Sequence, residues 1–278
     1  MSDSFFVQIS DTHIKAPGAL AYRRVDTAAA LRRCVRQLNA LRPRPDCVLI
    51  TGDLVDAGGE DEYRHLKTLL ETCELPVRLM VGNHDARAPL RRVFAAHDYL
   101  NESGEFVQYA FDVGRLRILA LDSLDAGKPG GRLCTQRLDW LCEQLDAAGT
   151  RPTVIALHHP PFLTGIGHMD QAVLDAASRT ALAQVLQGRS HVERVLAGHL
   201  HRPIHTLFGG TLASTVGAPA HQVCLDPRPD APSRFIMEPP SFALHVWQDG
   251  GRLVSHQAYI GDFDGPYPFH DADGRLID

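Results

Sequence analysis

Five short apolar runs rich in Val, Ile and Leu are spaced along the chain, each bounded by Gly, Asp or Pro. Runs of this length and composition predict strands that are buried on both faces. Because helical patterns lie between them, the alternation predicts an α/β fold with parallel strand pairing. The predicted strands cover residues 5–9, 47–50, 77–81, 153–157 and 192–196.

Four helices are predicted where apolar residues recur three or four positions apart. The second of them carries three acidic residues, at positions 60–62, which suit the first turn of a helix. The predicted helices lie within residues 25–41, 60–70, 140–145 and 174–186.

The middle and the end of the chain show a different pattern, in which apolar segments come in closely spaced pairs. Residues 106–112 and 115–122 are joined at Gly114, residues 203–208 and 211–216 at Gly209 and Gly210, and residues 242–247 and 252–260 by a turn at 249–251. Such pairs predict hairpins and therefore a second sheet. The expected fold class is α/β, a four-layer α/β/β/α sandwich of two mixed sheets flanked by helices, with a small C-terminal cap or oligomerisation segment.

Composition and charge narrow the function classes. The chain of 278 residues is expected to fold around one core, as one domain over residues 1–260. A net charge of −5 and the lack of a long basic run argue against binding to a nucleic-acid polymer. No apolar stretch reaches transmembrane length, and no basic leader precedes the start, so we expect a cytoplasmic protein without a membrane partner.

The six cysteines and the C-terminal tail leave questions open. The cysteines form no C-x-x-C pair and are expected to be thiols in a reducing compartment, although a disulfide between subunits is left open. The tail, residues 261–278, contains Phe263, Tyr267 and Phe269. These aromatics predict a cap or a subunit contact.

A polar motif rich in His, Asp or Asn directly follows each of the five predicted strands. Because the carboxyl ends of parallel strands meet at one edge of a sheet, these motifs should converge there. Turn chemistry explains Asp, Asn and Gly at such positions, but not the histidines. Carboxylate, imidazole and amide oxygen ligands suit Zn, Mn, Fe or Co. The motifs are Asp11 with His13, Gly52 with Asp53, Gly82 to Asp85, His158 with His159, and Gly198 to His201.

These motifs, in this order, resemble the calcineurin-like metallophosphoesterase superfamily. The His158–Pro161 motif, with Met169 and Asp170 shortly after it, is closer to bacterial class III cyclic nucleotide phosphodiesterases and the related glycerophosphodiesterases. The resemblance covers nearly the whole chain.

The resemblance implies a centre of two metal ions, which could be Fe, Mn, Zn or Co. One ion would take Asp11, His13, Asp53 and His201, and the other would take Asp53, Asn83, His158 and His199. Asp53 would bridge the two ions, because a carboxylate offers two oxygens. The implied activity is hydrolysis of small phosphodiesters, such as cyclic AMP or a glycerophosphodiester, by attack of a metal-bound hydroxide.

His84 is the candidate for the catalytic histidine that does not bind metal. We expect it to face the phosphate and to protonate the leaving oxygen or stabilise its charge, with Asp85 orienting it. Because bound imidazoles must be neutral, activity should fall below about pH 6. The substrate-binding candidates are Asn83, His84, His221, Tyr22 and Arg24. His159 is expected to support the fold, whereas His168 is left open between the pocket and an interface.

Two other functions stay open at this point. The same metal core could serve a phosphomonoesterase, such as a nucleotidase or a protein phosphatase. A metal-binding interaction module without turnover is the other alternative. The natural substrate, the native metals and the number of subunits in an expected homo-oligomer are not decided by the sequence.

Overall fold

The computed structural model describes residues 4–248 and 251–277. The strands in this part of the chain are β1 (Ser4–Ile9), β2 (Cys47–Ile50), β3 (Val77–Leu79), β4 (Tyr109–Val113), β5 (Leu116–Ala120), β6 (Thr153–Ala156), β7 (Val192–Ala197), β8 (His205–Phe208), β9 (Thr211–Thr215), β10 (Gln222–Val223), β11 (Phe235–Ile236), β12 (Ser241–Gln248) and β13 (Arg252–Tyr259). The α-helices are α1 (Thr27–Ala40), α2 (Glu60–Leu70), α3 (Arg87–Val93), α4 (Thr135–Ala148), α5 (Gly167–Asp170) and α6 (Ala176–Leu186). A 3₁₀ turn covers Asp98–Asn101.

Most strands pair into two mixed sheets. The first has the order β13-β12-β1-β2-β3, in which β1, β2 and β3 are parallel and β12 pairs antiparallel with both β1 and β13. The second has the order β4-β5-β6-β7-β9-β8, with parallel pairing from β5 to β9 and antiparallel strands at both edges. The prediction of two mixed sheets is confirmed.

The layer order follows from where successive side chains of the second sheet point. Side chains alternate between the two faces of a strand. Ile118 and Val154 belong to the core that this sheet shares with the first sheet and with α1 and α2. Their neighbours Leu119 and Ile155 belong to a second core against α4 and α6. The result is the predicted sandwich, with helices outside both sheets.

The predicted elements differ from the observed ones mainly at their ends. Cys47–Ile50 matches its prediction, whereas β3 ends at Leu79, two residues early. The short helices α3 and α5 were not predicted from the sequence, nor was the pairing of the two-residue strands β10 and β11. Residues 249 and 250 of the turn predicted between β12 and β13 lie outside the described residues.

The C-terminal segment leaves the core after Ile260, which is buried. Residues 261–277 are exposed throughout, including the rings of Phe263, Tyr267 and Phe269. Among the described residues, no helix combines the length and apolar character needed to cross a bilayer.

Candidate metal centre

The polar motifs lie just past the carboxyl ends of five parallel strands, where loops meet at one edge of the sandwich. The loop after β1 carries Asp11 and His13, and the loop after β2 carries Asp53. From the second sheet, His158 follows β6, and His199 follows β7. The structure thus brings together, from separate parts of the chain, all seven of the side chains considered as metal ligands. They are Asp11, His13, Asp53, Asn83, His158, His199 and His201.

The backbone at this edge is held in a conformation that residues with a side chain rarely adopt. Five of the seven candidate ligands have positive φ angles: Asp11 at 58°, His13 at 42°, Asp53 at 47°, His199 at 70° and His201 at 48°. Residues other than glycine seldom occupy this left-handed region, and each instance costs about 1–3 kcal/mol. Such strain clusters at functional sites, where the surrounding structure enforces it.

Two glycines allow the loops to approach one another. At Gly52, where φ is 96°, a Cβ would lie 2.5 Å from Nδ1 of His158. At Gly82, a Cβ would overlap the carboxylate of Asp53. A larger residue at either position would push a candidate ligand away from the centre.

Asp53 occupies the middle of the cluster. Its Oδ2 lies 3.6 Å from Nε2 of His13 and 3.3 Å from Nε2 of His158. Its Oδ1 accepts a hydrogen bond of 2.9 Å from the backbone N–H of His84. The carboxylate therefore faces imidazoles from two different loops.

Asp11 joins the first loop to the last one. Its two carboxylate oxygens accept hydrogen bonds of 3.1 and 3.0 Å from the backbone N–H of His199. Its Oδ1 also lies 3.3 Å from Nε2 of His201. Nε2 of His201 is in turn 3.2 Å from Nε2 of His13, so three side chains crowd one point.

Backbone carbonyl groups fix the orientation of two histidine rings. Nδ1 of His158 lies 2.8 Å from the carbonyl oxygen of Thr51, and Nδ1 of His201 lies 2.9 Å from that of His221. A carbonyl oxygen can only accept, so each Nδ1 carries the proton and each Nε2 is left to bind a cation. Nε2 of His199 is buried and has no hydrogen-bond partner among the described residues.

The charges of this cluster depend on one another. Burial acts to raise the pKa of both Asp11 and Asp53, but nearby histidines hold each pKa below its usual value. Burial acts to lower the pKa of His158, but the charge of Asp53 raises it to about 9. Burial and the charge of His158 lower the pKa of His199 to about 3. Protons thus balance the carboxylates, and a metal cation can replace these protons.

The donor set fits divalent metal ions. Four groups of three side chains each have ligand atoms within 4.8 Å of one another, and every group contains at least two histidines or two carboxylates. Buried oxygen and nitrogen donors of this kind suit Zn, Mn, Fe or Co. Nε2 of His199 has no hydrogen-bond partner among the described residues, and the Nε2 atoms of the other histidines point into the cluster. A bound cation would give these nitrogens a partner.

His84 lies beside this cluster and faces the cleft. Its Nδ1 is 2.7 Å from the carbonyl oxygen of Asp56, so it donates there and leaves Nε2 free. Its ring stands edge-on to that of His13, with the centroids 4.6 Å apart. His84 also falls in one of the candidate metal groups, together with His13 and Asp53.

Asp85 does not contact the ring of His84, which corrects the expectation that it orients this histidine. Its Oδ2 accepts hydrogen bonds from the backbone N–H groups of Gly82 at 2.8 Å and Leu54 at 3.1 Å. Its Oδ1 accepts from the Tyr63 hydroxyl at 2.9 Å. Burial and the charge of Asp53 raise the pKa of Asp85 to about 7. Asp85 therefore ties the loop of Asp53 to the loop of Asn83.

An open cleft of about 460 Å³ leads to the cluster. An aromatic group forms one wall: the ring of Tyr22 stacks on Phe235 with centroids 5.0 Å apart and meets His221 edge-on at 5.2 Å. Tyr22 is 54% exposed, so its ring is available to a ligand. Both Tyr22 and His221 thus lie where the sequence reading expected substrate contacts.

The arginine at the cleft is not the one that the sequence suggested. Arg24 is exposed and does not line the cleft. Arg234 lines it instead, and its Nη2 donates a 3.0 Å hydrogen bond to Oδ2 of Asp226. Arg24 lies in solvent on the turn after the first motif, and its expected role in substrate binding stays a prediction.

The sequence reading also missed other residues of the cleft wall. Phe235 and Val223 reach it because β10 and β11 pair, although a proline-rich loop separates these strands in the sequence. His168 and Met169 of α5 line the cleft too, which places His168 at the pocket. The only sequence signal for these wall residues was that Met169 follows the His158 motif closely.

His159 is buried and does not line the cleft. Its Nδ1 is 2.8 Å from the hydroxyl of Ser123, and its side chain is 0% exposed. Burial lowers its pKa well below the usual value, so the ring is neutral. His159 also falls in one of the candidate metal groups, with His158 and His199, so its expected supporting role stays a prediction.

Comparison with known proteins gives consistent results. A protein of Arcobacter nitrofigilis, named as a probable glycerophosphodiester phosphodiesterase, is 41% identical over 98% of this chain and 99% of its own length. A 3',5'-cyclic adenosine monophosphate phosphodiesterase of Pseudomonas aeruginosa is 32% identical over 70% of this chain and 69% of its own. A solved structure of Plasmodium GAP50, an inner membrane complex anchor, is 13% identical and shares the fold, with a TM-score of 0.61 over 100% of this chain and 88% of that one.

The family model for calcineurin-like phosphoesterases matches residues 6–203, which contain every candidate metal ligand named above. This match covers more than half of the chain, and the relatives named as phosphodiesterases extend it to nearly the full length. The chain belongs to the calcineurin-like phosphoesterase family, and it is a hydrolase that acts on phosphodiesters.

Proposed function

We propose that the protein is a dinuclear metal-dependent phosphodiesterase that hydrolyses small phosphodiesters. The observation that carries the proposal is the convergence of Nε2 atoms from His13, His158 and His201 on the carboxylates of Asp11 and Asp53. Two neighbouring cations would account for this arrangement of inward imidazole nitrogens and carboxylates.

The proposed ligand sets share Asp53. One ion would be held by Asp11, His13, Asp53 and His201, and the other by Asp53, Asn83, His158 and His199. Nε2 of His158 lies 3.2 Å from Oδ1 of Asn83, which puts these two donors of the second set side by side. When bound, the ions would supply positive charge against the phosphoryl oxygens and a nucleophile at neutral pH. Their identity, from Fe, Mn, Zn and Co, is to be measured.

His84 is the proposed catalytic residue that acts on the leaving group. The carbonyl oxygen of Asp56 holds its Nδ1, so its ring is oriented and its Nε2 can face the leaving oxygen. From there it can donate a proton or stabilise the developing charge. The side-chain NH2 of Asn83, on the same loop, can donate to a phosphoryl oxygen, because Oδ1 is the atom that would bind metal.

The shape of the cleft favours a diester over a monoester. The aromatic wall of Tyr22, Phe235 and His221 extends away from the cluster, and an ester group beyond the phosphorus can pack on it. Arg234 at the rim can bind hydroxyl or anionic groups of that ester. A monoester would leave this wall in water. The names of the relatives support two substrate classes, cyclic nucleotides and glycerophosphodiesters.

We further propose that residues 1–260 form the catalytic domain and that residues 261–278 act as a cap or as a contact in a homo-oligomer. The exposure of Phe263, Tyr267 and Phe269 in the single chain supports this, since apolar rings left in water favour a partner surface. All six cysteines are free thiols, which supports a cytoplasmic location. The charge of −5 argues against nucleic-acid polymers as substrates.

The test compares turnover of bis(p-nitrophenyl) phosphate with that of p-nitrophenyl phosphate. The protein is first chelated and then reconstituted separately with Mn, Zn, Co or Fe. We expect metal-dependent cleavage with a preference for the diester, and loss of activity in Asn83→Ala. A preference for the monoester would move the assignment to a phosphatase. A folded, metal-loaded protein without turnover would favour the binding module.

A further inference from the structure

A second pocket lies apart from the metal centre, between α4 and the loop that precedes β4. It has a volume of about 680 Å³ and is defined here by Glu102, Gln108, Asp139, Trp140 and Glu143. We call it the α4 pocket. None of the residues that line it also lines the catalytic cleft. It therefore needs an explanation of its own.

Charge is distributed unevenly in the α4 pocket. Asp139 and Glu143 lie one helical turn apart on α4, where like charges repel. Glu102, on the opposite wall, adds a third carboxylate. The described residues that line the pocket include no lysine or arginine. A bound cation would relieve this repulsion.

Gln108 supplies an independent sign of a ligand. Its side chain lines the α4 pocket but is only 2% exposed, and its Oε1 has no hydrogen-bond partner among the described residues. A buried carbonyl oxygen without a donor is unfavourable, because it has lost water and gained nothing. A ligand that carries a hydrogen-bond donor would satisfy this oxygen.

Trp140, which follows Asp139 and lies three residues before Glu143 on α4, adds an aromatic surface. Its ring is partly buried and lines the pocket. The face of an indole ring attracts cations, and its width suits an alkyl chain. A carbonyl acceptor, three carboxylates and an indole together match an ammonium group with N–H donors on a short carbon chain better than they match a metal ion.

We propose that the α4 pocket binds a small organic cation with a primary ammonium group, such as an alkyl diamine. One ammonium donates a hydrogen bond to Oε1 of Gln108. The carbon chain packs on Trp140, and the carboxylates of Asp139, Glu143 and Glu102 balance the charge. This binding is separate from the proposed phosphodiesterase activity.

The test is calorimetric titration of the metal-loaded protein with 1,4-diaminobutane, in buffer whose ionic strength is matched with NaCl. Saturable binding of one molecule per chain is expected, with the dissociation constant raised at least ten-fold in Gln108→Leu. Because that residue is buried, the surface double variant Asp139→Asn with Glu143→Gln provides a second test that leaves the core intact. Asn83→Ala should bind the diamine as well as the unmodified protein does.

Three results would overturn the proposal. One is the absence of saturable binding above the NaCl reference. Another is an affinity that neither the Gln108 variant nor the double variant changes. The third is loss of binding only in Asn83→Ala, which would mean that the amine binds the catalytic metals. Tetramethylammonium, which lacks an N–H donor, should bind at least ten-fold more weakly, and equal binding would refute the role of Gln108.

Discussion

Asp85 offers a sharp test, because the structure gives it a role different from the one that its position beside His84 suggests. Its carboxylate accepts hydrogen bonds from the N–H groups of Gly82 and Leu54, from the more distant N–H of Val55 at 3.4 Å, and from the Tyr63 hydroxyl. Above about pH 8, where a carboxyl with a pKa of about 7 is ionised, replacing it with asparagine changes one acceptor oxygen into a donor and removes the charge, while the size stays the same.

The cost can be worked out from these contacts. The amide group suffers least if its nitrogen takes the place of Oδ1, where the Tyr63 hydroxyl can turn to accept. The bonds from Gly82 and Leu54 then remain but are no longer charge-assisted, which loses about 1 kcal/mol each. The N–H of Val55 is left without a partner, at a further cost of about 1 kcal/mol. We expect a total of about 3 kcal/mol, or roughly 5–10 °C in Tm.

The functional effect should follow from movement of the ligands. Asp85 joins the loop of Asp53 to the loop of Asn83, so Asp85→Asn should weaken metal binding as well as stability. Thermal unfolding and metal content after dialysis measure the two effects. Asp122→Asn is the matched control: Asp122 is also buried and binds Arg87 at 2.7 and 2.8 Å, so its loss should lower Tm without lowering metal content.

The reasoning would be refuted if Asp85→Asn kept its Tm and its full metal content but lost kcat to the same extent as His84→Asn. Such a result, with no further loss in the double variant, would mean that Asp85 acts through His84. It would require a contact that the described structure does not contain.

Three further predictions concern the centre and the cleft. Gly82→Ala should lose at least half of its bound metal, measured by elemental analysis, because the new Cβ would overlap Asp53; full metal content would contradict this. Arg234→Gln should raise KM for nucleotide or glycerol diesters about ten-fold, worth about 1.4 kcal/mol, with kcat unchanged. Arg24→Gln should change neither KM nor kcat. The reverse pattern would mean that Arg24, and not Arg234, binds the substrate. Metal binding between pH 7 and 9 should release a proton from His158, because the pKa of this residue is raised to about 9. The affinity for metal should therefore fall as the pH decreases through this range. Calorimetry in buffers of different ionisation enthalpy measures the proton release, and its absence would contradict the prediction.

The fold was largely predictable because its strong signals are local. The buried parallel strands are continuous apolar runs such as Cys47–Ile50, and the alternation with helices is visible in the sequence. Each candidate metal ligand follows such a strand directly, so topology alone places the ligands at one edge. The predicted strand 77–81 was two residues too long, because the apolar run continues past Leu79 into Met80 and Val81, which are buried outside the strand.

The cleft wall was less predictable because it depends on long-range pairing. Phe235 reaches the site only because β11 pairs with β10, and neither two-residue strand has a pattern of its own. Arg24 and Arg234 look equally suitable as residue types, and only the path of the chain decides between them. For Asp85, adjacency in sequence suggested a contact with His84, but the tight turn directs the two side chains to opposite sides.

The proposed dinuclear centre is tested most directly by the dependence of turnover on metal equivalents. The chelated protein is titrated with Mn or Zn while cleavage of bis(p-nitrophenyl) phosphate is followed at each addition. We predict that activity rises until two equivalents per chain are bound and that Asn83→Ala binds the ion held by Asp11 and His13 but stays inactive. Full activity at one equivalent, or in the presence of a chelator that removes all metal, would contradict the account.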